Sequence, residues 1–145
     1  YVDALDCVLM FRSEVLKKQG LLDKDLFLIH EFTGWCLKTK NLGYKCLYVP
    51  KSKIWHKVEA SLKGNEKESE ISTYYNIRNW LLVIKKNKSF FYFLFILFLQ
   101  STFLAIYRSL KYIKSGQPKL IKTYFIEIWH AIINKSPLKL YPYKK

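Results

Sequence analysis

The predicted fold depends on residues 21–56, which have the sequence LLDKDLFLIHEFTGWCLKTKNLGYKCLYVPKSKIWH. The first part is an acidic loop. A short helix is then predicted from a cap near Thr33 to Gly43, because glycine commonly ends helices. The next residues, YKCLYV, alternate in hydropathy and stop at Pro50, a pattern typical of a strand. A helix followed directly by a strand predicts an α/β fold.

The preceding residues extend this pattern. Residues 2–12 (VDALDCVLMFR) are rich in aliphatic side chains and predict a buried strand. Ser13 can cap a helix, so EVLKKQ is predicted to be a short helix that ends at Gly20. Residues 59–70 are polar and predict a loop. A helix then follows over ISTYYNIRNWLLVIKK.

Residues 89–107 (SFFYFLFILFLQSTFLAIY) carry no charged side chain, and basic residues flank both ends. As one helix they would measure about 28 Å, close to the hydrocarbon thickness of a bilayer. The alternative is the core helix of a soluble domain. A domain of this size has too small a core to cover six phenylalanines, so the segment predicts membrane association.

Residues 119–134 (KLIKTYFIEIWHAIIN) predict an amphipathic helix. Its apolar side chains recur at helical spacing on one face: Ile121, Tyr124, Phe125, Ile128 and Ile132. Such a helix suits a membrane interface, and it suits packing against a neighbouring helix equally well.

The charge of the chain is unevenly distributed. Residues 1–84 contain 13 lysines and arginines against 10 acidic residues, whereas residues 85–145 contain 12 against Glu127 alone. This asymmetry predicts a polyanionic partner. Specific recognition of bases and phosphates in nucleic acid favours arginine, and this chain has few arginines. An anionic lipid surface is therefore the better candidate for the polyanionic partner. The three cysteines predict neither a disulfide framework nor a zinc site.

The ordered motifs resemble those of family 2 glycosyltransferases of the GT-A type, particularly the rhamnosyltransferase-like and galactofuranosyltransferase-like members. That family has a Gly-x-x-Asp-Glu loop, a Glu-Asp-x-Asp helix start, a Gly-Tyr turn, a strand ending in Val-Pro, a histidine and a distal Arg-Asn pair. The matching residues here are Gly20 to Asp23, Glu31, Gly43-Tyr44, Val49-Pro50, Trp55-His56 and Arg78-Asn79.

The resemblance implies roles for six residues. Glu31 would be the catalytic candidate and His56 the metal ligand, for a divalent Mn or Mg ion expected only in a complete enzyme. The candidate substrate-binding residues are Asp23, Trp55, Arg78 and Asn79. Other roles stay open. Trp55 suits a sugar contact or a core position, and the Arg-Asn pair suits a diphosphate contact, support of the loop, or an ordinary solvated helix face.

Departures from the family pattern bear on catalysis. Phe32 occupies the position of the family's base, and phenylalanine cannot accept a proton. Glu31 lies one residue earlier, about 100° away around a helix. The half of the family's domain that carries its D-x-D motif and its nucleotide-binding strands is absent from this sequence. We therefore expect a C-terminal fragment that is inactive alone.

Together these observations predict an α/β fold in two parts. Residues 1–84 would be the acceptor-side half of a GT-A-like catalytic domain, and residues 85–145 a basic, membrane-associated helical tail. The expected function is sugar transfer from a nucleotide-sugar donor to a polysaccharide or glycolipid acceptor at the cytoplasmic face of the cell membrane. Donor and acceptor would bind through the missing N-terminal half. Membrane lipids are the other expected partner, and nucleic acid is not expected. The alternative is a degenerate, non-catalytic membrane interaction protein.

Overall fold

The computed structural model describes residues 1–5, 8–55 and 70–135. These residues form six helices: α1 (Ser13–Gln19), α2 (Glu31–Asn41), α3 (Glu70–Asn87), α4 (Phe90–Ser101), α5 (Phe103–Lys114) and α6 (Lys119–Ile132). Their one β-type pairing is an antiparallel bridge, in which the Val2 N–H donates to the Cys46 carbonyl at 3.1 Å.

The predicted α/β fold, with its GT-A-like half-domain, is wrong, because the described residues contain helices and no strand or sheet. The two predicted strands, residues 2–12 and 44–49, meet only at the bridge of Val2 and Cys46. Beyond it most of their described apolar side chains are exposed; Met10, for example, is 100% exposed. A strand needs both a paired backbone and a covered face. Apolar composition alone supplied neither.

Helices α3 and α6 form the centre of the molecule. Five apolar residues of α3, each at most 3% exposed, supply much of the core: Ile77, Leu81, Leu82, Val83 and Ile84. From α6, Leu120, Tyr124, Ile128 and Ala131 join the same cluster. The two helices run parallel, since Thr123 bonds to Glu70 at their starts and Lys85 bonds to the Ile132 carbonyl at their ends.

Helix α2 approaches α3 closely at Gly34. A Cβ atom at this position would lie 2.7 Å from Leu26 Cδ1 and 3.2 Å from Val83 Cγ2. The missing side chain therefore lets α2 and the loop before it settle against α3. The predicted end of this helix is confirmed: it ends at Asn41, and Gly43 follows with a φ of 87°.

Helices α4 and α5 form one apolar stretch, Phe90–Lys114, that is interrupted at Thr102. The Thr102 hydroxyl donates to the Phe98 carbonyl at 2.8 Å, a back-bond that commonly bends helices. The Tyr124 hydroxyl donates to the Gln100 carbonyl at 2.5 Å, next to the bend.

Length and composition make Phe90–Lys114 able to cross a membrane. Only 17% of its most apolar 18-residue window is buried inside the structure, so it does not behave as a core helix of a soluble domain.

The predicted boundary between residues 84 and 85 falls inside α3, which continues to Asn87. The division into two domains stays a prediction. Of the predicted loop over residues 59–70, Glu70 is the first residue of α3 and the others lie outside the described residues, as does the metal candidate His56.

Candidate functional site

Most of the predicted site residues surround the loop of residues 21–30, which joins α1 to α2. Two neighbouring residues of α3 hold this loop in place. The Asn79 carboxamide nitrogen donates to the Phe27 carbonyl at 2.9 Å and to the Ile29 carbonyl at 2.8 Å. The Arg78 guanidinium donates to the Asp25 carbonyl at 2.7 Å. The loop therefore follows a path fixed by side chains of the core helix.

Arg78 also ties the loop to the end of α6. Its Nε and one terminal nitrogen donate to the Lys135 carbonyl at 3.2 and 2.7 Å. It also donates to the Asn79 side-chain oxygen at 2.7 Å. The side chain is fully buried and forms no ion pair with any described residue. Burial lowers the pKa of Arg78 from its ordinary value.

Through these contacts Arg78 and Asn79 support the loop, which is one of the roles that the sequence left open. Both side chains are fully buried, which excludes the solvated helix face. A direct contact between either residue and a substrate would require the loop to open, and substrate binding by this pair stays a prediction.

The loop has an unusual backbone at Leu28 and His30, with φ values of 75° and 68°. Non-glycine residues rarely adopt this left-handed region, and such conformations cluster at functional sites. The His30 ring lies 5.5 Å from the Trp80 ring, and its Nε2 lies 3.3 Å from the Asn76 side-chain oxygen. Together with the Asn79 bonds, these contacts fix the residue immediately before Glu31.

Glu31 is the first residue of α2, and its Oε2 is buried without a hydrogen-bond partner. A carboxylate at a helix N-terminus is stabilised by the helix dipole. A free lone pair also leaves it able to accept a proton. Phe32, at the expected position of the base, is half-buried beside it. The chemistry predicted for Glu31 therefore needs a substrate to reach an enclosed oxygen.

Asp23 lies at the other end of the loop, in an ion-pair network with α3. Lys86 Nζ is 2.5 Å from Asp23 Oδ2 and 3.3 Å from Asp25 Oδ2. Burial opposes ionisation of Asp23, but the hydrogen bonds from Lys86 and from the Asp25 backbone outweigh it and lower the pKa of Asp23. The Asp23 carboxylate is thus held ionised.

A cleft of about 430 Å³ opens beside Asp23, within the size range of small-ligand sites. Its lining combines apolar and charged side chains: Leu21, Asp23, Leu26, Gly34, Trp35, Lys38, Lys86 and Asn87. The sequence interpretation missed Lys38, Lys86 and Asn87. In the sequence Lys38 has the pattern of a solvated helix position and Lys86 is one of the basic residues that flank the apolar segment; only the fold brings Lys86 to the acidic loop.

Trp55 is 90% exposed, so it fills no core position. His56 lies outside the described residues, and the structure does not place it relative to Glu31. Among residues 1–5, 8–55 and 70–135, no three His, Cys, Asp or Glu side chains are grouped so as to hold a metal ion. The described donors do not fit a divalent metal site, and a metal stays a prediction for the complete enzyme.

Comparison with known proteins gives one informative match. The chain is 31% identical over 83 residues to a dTDP-rhamnosyl transferase, RfbF, of Shigella flexneri. The match covers 54% of this chain and 28% of that protein, so the chain spans less than a third of its length. No family model and no solved structure matches the chain. The match supports a glycosyltransferase relationship for this chain.

Proposed function

We propose that this chain is part of a membrane-associated family 2 glycosyltransferase. The complete enzyme would transfer a sugar from a nucleotide-sugar donor to a polysaccharide or glycolipid acceptor. The observation that carries this proposal is the 31% identity over 83 residues to a dTDP-rhamnosyl transferase. Rhamnose is accordingly the first donor sugar to test. In a complete enzyme, a divalent Mn or Mg ion would assist departure of the diphosphate.

The geometry around residues 21–31 is consistent with an acceptor-binding role for this part of the chain. A strained loop leads directly into the Glu31 carboxylate, and the buried pair Arg78 and Asn79 holds that loop. An acceptor sugar could occupy the adjacent cleft at Asp23, where carboxylate, lysine and tryptophan side chains suit a polar ring with an apolar face.

Phe32 supports the proposal that the chain alone is inactive. General-base catalysis contributes about 10²–10⁴-fold to rate, and phenylalanine at the base position removes it. The same observation favours the second candidate, a non-catalytic membrane interaction protein derived from a glycosyltransferase. The two candidates differ in whether this segment can support sugar transfer once a carboxylate is restored at position 32.

The decisive experiment replaces the matching segment of the Shigella rhamnosyl transferase with the corresponding residues of this chain. Three versions are compared: unchanged, Phe32→Asp and Phe32→Asn. We expect Phe32→Asp to transfer rhamnose about 10²-fold faster than the other two, because only aspartate can accept the acceptor's proton. Equal activity of the aspartate and asparagine versions would place the base elsewhere, with Glu31 the first residue to test. Inactivity of all three versions, with correct folding, would favour the non-catalytic candidate.

The membrane is the second partner in this proposal, at its cytoplasmic face. Large apolar side chains on α4, α5 and α6 remain exposed, the most exposed being Phe91, Phe90, Phe103, Tyr107, Ile106, Leu110, Ile113 and Trp129. Lysines at positions 88, 111, 114, 119 and 122 are also exposed. An apolar surface bordered by lysines is the pattern of a protein that inserts into an anionic lipid surface.

The packing favours insertion of α4 and α5 parallel to the membrane plane. Helix α3 runs beside them, and the irregular loop of residues 21–30 packs on the middle of α3 at Arg78 and Asn79. If α4 and α5 crossed the bilayer, this loop would be drawn to the depth of the hydrocarbon, where lipid-exposed irregular loops do not occur. Insertion into one leaflet leaves the loop in water and still buries the phenylalanine-rich face.

A further inference from the structure

A second pocket lies between the first half of α3 and the second half of α5, and two of its lining residues, Tyr107 and Lys111, also belong to the proposed membrane surface. Its volume is about 370 Å³, and it is lined by Ser72, Thr73, Asn76, Tyr107, Arg108 and Lys111. This size falls within the range of small-ligand sites. We refer to it as the α3–α5 pocket.

Among the described residues that line the α3–α5 pocket, the charged side chains have one sign. They supply two cations, three hydroxyl groups and one carboxamide, and none of these described residues carries a carboxylate. Cations together with hydroxyl and amide donors are the groups that proteins use to bind phosphate oxygens.

Arg108 is held in position by aromatic side chains. One terminal nitrogen donates to the Tyr112 hydroxyl at 3.5 Å, and its guanidinium carbon lies 5.8 Å from the centre of the Tyr124 ring. The side chain is half-buried and forms no ion pair with a described residue. A guanidinium fixed in this way loses less conformational entropy when it binds an anion.

The α3–α5 pocket also borders the apolar surface. Tyr107 belongs to its lining and is 65% exposed, while Ile106 and Leu110 on the same helix are 64% and 63% exposed. A ligand with an anionic head and apolar chains could therefore place its head in the pocket and its chains on α5. This adjacency connects the pocket to a lipid surface.

We infer that the α3–α5 pocket binds a terminal phosphate group, carried either by a lipid headgroup or by a free phosphate compound. A phosphate monoester carries a charge of about −1.5 to −2 near neutral pH, which two cations match. Its oxygens would accept hydrogen bonds from Arg108, Lys111 and the pocket hydroxyls. The lipid source rests on the proposed membrane binding, whereas the free source does not.

The test uses the full chain and two probes. In the first measurement, inorganic phosphate is titrated into the detergent-solubilised chain by calorimetry. In the second, the chain binds nanodiscs of phosphatidylcholine alone, or with phosphatidic acid or phosphatidylserine at equal surface charge. Binding of inorganic phosphate identifies a free source, and preference for phosphatidic acid over phosphatidylserine identifies a lipid source.

Four variants separate a built site from general positive charge. Arg108→Gln should weaken binding about tenfold or more, since a hydrogen bond to a charged group is lost. Binding by Arg108→Lys should be intermediate in strength, because lysine keeps the charge but lacks the planar guanidinium that can donate two hydrogen bonds to one phosphate. Lys111→Gln removes the other, exposed cation. Lys114→Gln is the matched control: it removes one charge three residues away, outside the pocket lining.

The proposal is supported if either probe binds and Arg108→Gln and Lys111→Gln weaken binding while Lys114→Gln changes it less than about twofold. It is overturned if neither probe binds the folded chain, or if Lys114→Gln is as damaging as the two pocket variants. Circular dichroism verifies that each variant is folded. If Arg108→Gln is unfolded, Lys111→Gln still tests whether the pocket binds phosphate. Neither measurement depends on sugar transfer, so a failure here leaves the enzymatic proposal unaffected.

Discussion

At the scale of single residues, the polar core of α3 links the candidate site to the rest of the molecule. Arg78 and Asn79 are fully buried and direct their donors to backbone carbonyls of the loop. The sequence predicted the importance of this pair through the Arg-Asn resemblance. It could not predict what they contact, because their partners lie about fifty residues away in the chain.

Loss of the Asn79 carboxamide should destabilise the protein strongly. Asn79→Ala leaves two loop carbonyls without their donor, and each buried unsatisfied group costs about 1–3 kcal/mol. We therefore expect the free energy of unfolding to fall by about 2 kcal/mol or more. Urea unfolding of the detergent-solubilised chain measures it. Asn41→Ala, at the exposed last residue of α2, is the control. Equal effects of both substitutions would contradict the supporting role of Asn79.

Charge matters less than shape at Arg78. The planar guanidinium of Arg78 donates to the Asp25 and Lys135 carbonyls at the same time. Arg78→Lys keeps the positive charge but lacks this planar group, so it should also lower the free energy of unfolding. The same exchange at the exposed Arg12 should leave the unfolding midpoint unchanged. If Arg78→Lys unfolds at the same urea concentration as the wild type, the guanidinium contacts with the two carbonyls do not contribute to stability.

His130 should make stability depend on pH. Its ring is buried in α6, and Nδ1 lies 2.9 Å from the Tyr74 hydroxyl. Burial, with smaller contributions from Lys135 and Arg78, lowers the pKa of His130 below its ordinary value. The unfolded chain therefore binds this proton first, and stability falls as the pH drops through about 6.5. His130→Gln should reduce this loss in unfolding curves between pH 7.5 and 5. An unchanged pH dependence would show that other groups cause it.

At the scale of secondary structure, the sequence predicted helices better than strands. The end of the helix of residues 31–41 is indicated by the glycine that follows it. The helix α6 is indicated by the spacing of its apolar residues. A strand depends on partners elsewhere in the chain, and residues 2–12 and 44–49 share only one bridge. The interruption at Thr102 was also missed, because it combines a local back-bond with a contact from distant Tyr124.

The contact between α2 and α3 predicts the effect of a side chain at Gly34. Alanine normally stabilises a helix interior by about 0.5–1 kcal/mol relative to glycine. Here its Cβ would lie 2.7 Å from Leu26 Cδ1 and 3.2 Å from the buried Val83. Overpacking of this kind costs about 1–3 kcal/mol, so Gly34→Ala should lower the free energy of unfolding. Thr33→Ala, one position earlier and half-buried, is the control. A gain in stability at Gly34 would show that Leu26 moves aside without cost.

At the scale of the whole molecule, the proposed membrane binding rests on the distribution of charge and apolar surface. Composition alone identified the apolar segment and the basic C-terminal part. It could not distinguish a crossing helix from one lying in a leaflet, because both have the same sequence pattern. The proposed insertion into one leaflet rests instead on the packing of α3 and α6 beside α4 and α5.

Attachment to the membrane should survive high salt. Salt screens the lysines, each worth about 1 kcal/mol near an anionic surface, but it does not screen burial of apolar side chains. The intact chain should therefore stay in the membrane pellet after a wash with 1 M salt. Replacing the exposed Phe91, Phe103 and Ile106 by serine should allow salt to release it. Release of the intact chain by salt alone would show that α4 and α5 do not insert.

The position of the apolar segment can be tested by labelling its two ends. In the proposed arrangement, residues 88 and 114 both remain at the cytoplasmic surface, whereas a crossing helix would place them on opposite sides. Lys88→Cys and Lys114→Cys are introduced singly after Cys7, Cys36 and Cys46 are replaced by alanine. Both lysines are exposed, so neither change should disturb packing. A membrane-impermeant maleimide should label both cysteines in inside-out vesicles and neither in sealed right-side-out vesicles. Labelling of one cysteine from each side would establish a crossing helix, and the loop of residues 21–30, which packs on the middle of α3, would then have to move to stay in water.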